Sequence, residues 1–428
     1  MSSYRICRLS YYAYPRAFAA LDGHLCTGAS YDQLTAVLFA DSPIYSDAFA
    51  GAMRRLGNDA VDLIYNAEPI QRRWAEEHGV GYSERRWMRD IFFAQLDHYR
   101  PDVVYLQGVN WHWAMPILQP EFRERFPFVR FLVGYSGNVV DVRTVAPLDL
   151  VLAGVPPFYQ RYRQMGKRCV LMYHGFDEAN LERVERWRRG AHGGGAQDFI
   201  FAGSTGYGWR QSHRGRYWEL LQLLLSSPLK LWAFESRDAI PAGQQVEAPP
   251  GLRERMLAEI RAGGDAGAMV ARLRRMQSHE LGNDEPVIPL AELFPERCSP
   301  AVYGTEMLDL LARSRITYNR HTDQSEGYAG NMRLFEATGM GACLATERTV
   351  NIAELYEPDS EVVTYSSIEE CCEKVEYLLE HEHERAAIAA AGQRRTLRDH
   401  TVLRRCEMLD ELIKDHLAAS RATAGVGG

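Results

Sequence analysis

The sequence predicts an α/β protein made of two parallel-sheet domains, on three observations. Short β-rich apolar runs alternate with amphipathic helical stretches over residues 31–177; three consecutive glycines in AHGGGAQ, at 191–197, interrupt that rhythm; and the rhythm restarts at DFIFAGS. Such alternation gives parallel strands whose crossover helices cover both faces of the sheet. At 428 residues the chain also exceeds what one hydrophobic core ordinarily organises, so two cores are expected.

In the first half, SDAFAGAMRRLGND reads as an amphipathic helix stopping at Gly57, with arginines in the last turn, where the helix dipole favours them. DAVDLIYN follows as a strand, QRRWAEEHG as a helix, and RWMRDIFFAQLDHYR as a helix stopped by Pro101. DVVYLQG, FVRFLVGYS, LDLVLAGV and CVLMYHG complete the series as strands. After the glycines, DFIFAGS is a strand running into a glycine-rich turn, GRYWELLQLLL a helix and LKLWAFE a strand. Residues from about 236 to 300 break the rhythm with proline clusters around one helical piece and read as an insertion. GTEMLDLLARS (helix), RITYN (strand), NMRLFEATG (helix) and GACLAT (strand) resume it. Ser367 and Glu370 make a capping box for IEECCEKVEYLLEHE, and two further helical stretches end near Leu417.

The expected organisation is a first domain at 1–177, a linker at 178–197 and a second domain at 198–395. A C-terminal helix at 396–418 packs back on the first domain, and 419–428 form a disordered tail. Open parallel sheets bind ligands at the carboxyl ends of their strands, which places the expected site in a cleft between two facing sets of strand ends.

Composition narrows the function. The balance of 46% hydrophobic and 25% charged residues is globular, and a net charge of −7 with only short basic clusters, RERFPFVR and YRQMGKR, argues against nucleic-acid binding. The eight cysteines show no zinc-type or redox-type spacing and read as reduced thiols, so a cytoplasmic location is expected. The N-terminus lacks a signal-peptide pattern, and no apolar run reaches the roughly 20 residues that span a bilayer. Peripheral contact with a membrane surface stays open.

The most informative stretch is GYAGNMRLFEATGMGACLA, at 327–345. A helix beginning near Asn331 presents free backbone N–H groups and a partial positive charge, and Gly327 and Gly330 let the preceding loop approach a phosphate. Arg333 and Glu336 lie three apart and share a helix face. An arginine toward a diphosphate and a carboxylate toward ribose hydroxyls form a coherent pair. A local ion pair on an exposed face is the equal alternative.

The same stretch resembles the glutamate region of GT-B glycosyltransferases, in the CgeB-like branch with a group-1 glycosyl transferase C-terminal domain. The residues carrying the likeness are Asn331, Arg333, Phe335, Glu336 and Ala337, followed by TGMGACLAT. It extends through ELYEPDSEVVTYSS to LRRCEMLDELI, upstream to VYGTEMLDLLARSRITYNRHTD, and more softly to NAEPIQRRWAEEHG, RPDVVYLQG and LDLVLAGVPPFYQRYRQMGKR. The resemblance implies two Rossmann-like domains, with the second binding a nucleotide-diphosphate sugar and the first an acceptor. It implies transfer of a hexosyl group to an acceptor hydroxyl of a glycan, lipid-linked glycan or protein, with a retaining outcome. Glu336 carries over as the ribose ligand; relatives place a first glutamate eight residues earlier, whereas Glu326 is ten earlier and does not carry over.

Further residues complete the expected site. Gly203 and Ser204, in FAGSTGYGWRQSHRGR, suit a diphosphate, with Arg210, Arg214 and Arg216 nearby; similar enzymes neutralise the departing nucleotide with a basic residue here, and Arg214 is taken for it. His174 either touches the donor or satisfies a neighbouring carbonyl at its strand end. His321 and Asp323 either meet sugar hydroxyls or are solvated in their loop. His112, between Trp111 and Trp113 in QGVNWHWAMP, is taken as the acceptor-side catalytic residue, the tryptophans being a sugar platform or core. No D-x-D motif occurs, so no cofactor and no metal are expected, and arginines and helix N-termini would carry the leaving-group charge. A nucleotide-sugar epimerase and a non-catalytic carbohydrate-binding or structural protein on the same fold are the rival readings.

Overall fold

The computed structural model describes residues 3–12, 18, 21–24, 28–41, 46–109, 114, 116–138, 140–190, 193–207, 214–234 and 248–425. The chain divides into two compact units: one runs to Arg183 and resumes at Asp399, and the other is Val184–Arg398.

The first unit is built on a six-stranded parallel sheet of β1 (Arg5–Ser10), β2 (Asp59–Ile64), β3 (Val103–Leu106), β4 (Phe131–Ser136), β5 (Leu150–Ala153) and β6 (Cys169–Leu171), in the order β2-β1-β3-β4-β5-β6. Every residue of β3, β4 and β5 is buried, as strands covered on both faces must be. The period of two sends Cys7, Leu9, Val104, Leu106, Leu132 and Val151 into one core, and Ile6, Val103, Tyr105, Phe131, Val133 and Leu150 into another. The C-terminal helix, Val402–Gly425, adds Cys406, Leu409 and Ile413 to the second core, where they meet Phe49 and Met53.

The central strand β1 was not among the expected strands, because Arg5 and Arg8 interrupt its apolar run. Arg8 is nevertheless buried, its Nε 2.5 Å from Asp62 on β2 and its Nη2 donating to the Ser46 carbonyl at 2.7 Å. Asp62 also accepts from the Ala50 N–H at 2.9 Å. In the basic cluster RERFPFVR, Arg123 pairs with Asp149, Arg125 with Asp97 and Arg130 with Asp102. No helix among the described residues is long and apolar enough to cross a membrane.

The second unit has its own parallel sheet: β7 (Gln197–Ser204), β8 (Lys230–Phe234), β9 (Cys298–Pro300), β10 (Ser314–Asn319), β11 (Cys343–Glu347) and β12 (Val363–Tyr365), in the order β12-β11-β10-β7-β8-β9. The stretch read as linker is largely helical, as Ala179–Arg189. The stretch read as insertion belongs to the unit's body: helices Leu252–Ala262 and Ala266–Leu281 place Leu252, Met256, Met269 and Leu273 in its core, and the segment ends in edge strand β9. The C-terminal helix continues to Gly425, through residues read as tail.

Candidate functional site

At the carboxyl ends of β7, β10 and β11, the second unit gathers a polar cluster. Asn331 caps the helix Met332–Gly339, its Oδ1 accepting from the Leu334 N–H at 3.3 Å. Its Nδ2 donates to Asn319 Oδ1 at 2.7 Å and to the Arg320 carbonyl at 3.3 Å, while Asn319 Nδ2 reaches Thr346 Oγ1 at 3.0 Å. The cap thus also ties the helix start to the ends of β10 and β11.

Arg333 and Glu336 pair with each other at 2.9 Å. This is the local i,i+3 arrangement, but not on an exposed face: their side chains are only 20% and 13% exposed, and Arg333 also touches the Met307 sulfur. Upstream, Gly327 adopts a left-handed φ of 80°, whereas Gly330 is buried and does not. Val350 N–H donates to the Gly327 carbonyl at 3.0 Å, and Asn351 exchanges two hydrogen bonds with Ala329, so this loop is held in place.

Arg216 ties the end of β7 to the turn after β10. Its Nη1 donates to the Ser204 carbonyl at 3.0 Å and its Nη2 to the Arg320 carbonyl at 2.7 Å. Arg216 is 7% exposed and its Nε has no partner. Burial, with the like charge of Arg320, pushes its pKa down to about 10. Ser204 Oγ accepts from the Gly206 N–H at 3.3 Å, and Gly203 has φ 157°. Arg214 opens the helix Arg214–Ser226; its side chain, Arg210, and the expected catalytic His112 with Trp111 and Trp113 lie outside the described residues.

His321 is buried, which removes loop solvation as its explanation. Its N–H donates to Glu347 at 3.2 Å, Nε2 lies 3.4 Å from Thr346 Oγ1, and Nδ1 has no partner. Burial and the charges of Arg216 and Arg320 push its pKa down to about 3, so the ring is neutral at physiological pH. Asp323 is bound to Arg320 at 3.2 Å.

Arg320 is the hub that the sequence reading missed. Its Nε meets Glu219 at 2.7 Å and Glu347 at 3.1 Å, and its Nη1 donates to the His321 carbonyl at 2.8 Å. Burial pushes Glu347 up to about 7, against the opposing pull of Arg320. One signal was available: Arg320 and Glu347 stand at or just past the carboxyl ends of neighbouring strands β10 and β11, where ligand contacts concentrate.

His174 belongs to the first unit, with Nε2 2.9 Å from the Tyr135 hydroxyl, and Arg405 Nε donates to its carbonyl at 3.2 Å. Burial, assisted by Arg405, pushes its pKa down to about 4. Its partner is a hydroxyl rather than the carbonyl expected of a strand-end histidine. Among the described residues, no group of three or more His, Cys, Asp or Glu is placed to hold a metal ion.

Residues 267–411 match the family model described as glycosyl transferase-like. The fold is similar to that of solved glycosyltransferases. HepE from Anabaena, in complex with UDP-glucose, is similar over 96% of this chain and 100% of its own, with TM-score 0.52 and 13% identity. A glycosyltransferase from Rickettsia africae matches over 97% and 99% of the two chains, with TM-score 0.51 and 9% identity. Sucrose-phosphate synthase from Thermosynechococcus elongatus matches over 97% and 100%, with TM-score 0.50 and 9% identity. No curated protein matches the chain. The chain has the two-domain GT-B fold, and its residues 267–411 are similar to the glycosyl transferase-like family. The matched glycosyl transferase-like segment holds Asn319, Arg320, His321, Asn331, Arg333, Glu336 and Glu347, whereas Ser204, Arg216 and Glu219 come from the β7 side of the same sheet.

Proposed function

We propose that this GT-B protein is a glycosyltransferase that moves a hexosyl group from a nucleotide-diphosphate sugar to an acceptor hydroxyl, with retention and without a metal ion. The second unit takes the donor and the first the acceptor, a glycan, lipid-linked glycan or protein. The observation that carries this reading is the coincidence of the glycosyl transferase-like match with the polar cluster at the ends of β10 and β11. HepE, on a similar fold, holds UDP-glucose, which makes a nucleotide sugar the ligand to test first.

Each residue then has a role. Glu336 turns from Arg333 to the ribose hydroxyls, and Arg333 exchanges a carboxylate for a phosphate, a partner of the same charge and geometry. Arg216 takes the leaving-group role assigned from sequence to Arg214: it is a largely desolvated cation with a free Nε, beside Gly203 and Ser204. A cation fixed in place before reaction stabilises the departing diphosphate without reorganisation.

The test is thermal stabilisation by a panel of UDP-, GDP- and ADP-sugars, followed by assay of nucleotide release with and without EDTA and NMR of the product anomer. Stabilisation by at least one nucleotide sugar, and turnover that survives EDTA, are expected. If no nucleotide or nucleotide sugar binds, the donor assignment is wrong.

A further inference from the structure

Among the described residues, the charges around Arg320 do not balance. Arg216 and Arg320 face three carboxylates: Glu219 on the helix Arg214–Ser226, Asp323 after β10, and Glu347 at the end of β11. The other titratable groups around Glu347 are neutral: His321 beside it, Tyr318 on β10 and Tyr365 on β12, with the Tyr365 hydroxyl bound to the Asn319 carbonyl and the Tyr318 hydroxyl to Glu219. Arg348, next in sequence, is turned to Thr364 at 2.9 Å and Asp359 at 3.5 Å. Among these described groups, an anion arriving at Arg216 would therefore add to an excess of negative charge.

Glu347 is the carboxylate placed to respond. It holds both the Arg320 guanidinium and the His321 N–H. The Arg320 carbonyl in turn accepts from Arg216 and from the cap residue Asn331. The position of this turn therefore sets the positions of the proposed leaving-group arginine and of the start of the donor helix.

We propose that Glu347 is a positioning residue of the donor site, which holds the Arg320–His321 turn as a carboxylate and takes up one proton from solvent when an anionic ligand settles at Arg216. This rests on the donor assignment above. Because burial already pushes Glu347 up to about 7, it is only partly protonated at physiological pH and the uptake falls within an accessible range. If the bound ligand keeps Glu347 protonated to about pH 8–9, affinity is about three- to fivefold tighter at pH 7 than at pH 8 and levels off below about pH 6.

The experiment is isothermal titration of the full chain with UDP-glucose, GDP-mannose and ADP-glucose at pH 6, 7 and 8. Nucleotide sugars are used because their diphosphate does not titrate there, whereas a free nucleoside diphosphate does. Wild-type protein should tighten as pH falls and take up about 0.5–0.7 proton per ligand at pH 7.5, measured in buffers of different ionisation enthalpy. Glu347→Gln should bind with little pH dependence and exceed wild type at pH 8, and Glu347→Asp should restore the dependence. Wild-type binding without proton uptake, or an unchanged slope in Glu347→Gln, overturns the role of Glu347 and leaves the donor assignment standing. Binding of none of the three sugars overturns both. The proton count is made on wild type and decides the matter even if a variant fails to fold.

Discussion

Replacing Arg216 with methionine separates a structural arginine from a catalytic one. Two hydrogen bonds are lost, to the Ser204 and Arg320 carbonyls, at about 0.5–1.5 kcal/mol net each. Against that, burial already disfavours this cation, pushing its pKa down to about 10, so an apolar side chain of similar length recovers part of the desolvation cost. The expected net loss is about 0–2 kcal/mol, or about 2–4 °C in Tm per kcal/mol for a unit of this size. Catalysis should suffer far more. If the guanidinium stabilises the departing diphosphate, its removal should lower kcat/KM for the nucleotide sugar by about 10²–10³, the scale of one preorganised charge-stabilising donor. Lysine should rescue poorly, since an ammonium cannot span both carbonyls and still face a phosphate. Thermal unfolding beside initial-rate kinetics reads both quantities. A folded Arg216→Met enzyme with kcat/KM within about threefold of wild type would refute the leaving-group role.

Three further perturbations follow from the same geometry. Glu336→Ala should weaken nucleotide binding about tenfold or more through lost charge-assisted hydrogen bonds; isothermal titration showing unchanged affinity in a folded variant would remove Glu336 from the donor site. Glu347, ordinarily near 4.5 and here pushed up to about 7 by burial, stabilises the fold fully below pH 4.5 and loses that contribution as pH rises toward 7. Glu347→Gln should therefore gain on wild type between pH 5 and pH 8 in urea unfolding, by at most about 3 kcal/mol, less the lost bonds to Arg320 and His321. In the first unit, Arg8→Met leaves the Asp62 carboxylate buried with, among the described residues, only the Ala50 N–H donating to it. That should cost about 3–5 kcal/mol, while Arg8→Met combined with Asp62→Leu should recover much of it; no recovery would mean that the pair is not what makes Arg8 necessary.

Where a side chain's partner is close in sequence, the linear reading reached it. Asn331 caps its helix and Arg333 meets Glu336 because helical geometry brings residues three apart together. Ser367 caps the Ile368–Glu380 helix for the same reason, its Oγ accepting from the Glu370 N–H at 3.2 Å. The runs that became β2 to β8 and β10 to β11 are apolar enough to be read as buried parallel strands. The failures are of another kind. β1 was hidden because Arg8 looks like a surface residue until Asp62, 54 positions later, is placed beside it. β9 has three residues and no pattern of its own, and becomes a strand through pairing with β8.

The sequence alone determined the α/β alternation, the helix caps and the gathering of Asn331, Arg333 and Glu336 at one helix start, since all of these rest on periodicity or on neighbours within one helical turn. Only tertiary structure decided that Arg216 and Arg320, with Glu219 and Glu347, form the charged centre of the second unit. These residues come from the turn just after β10, the end of β11 and the helix after β7, up to 131 positions apart in the chain. The ionisation of Arg216 and Glu347 depends on burial and on neighbouring charge, which are properties of a folded arrangement and not of any local stretch of residues.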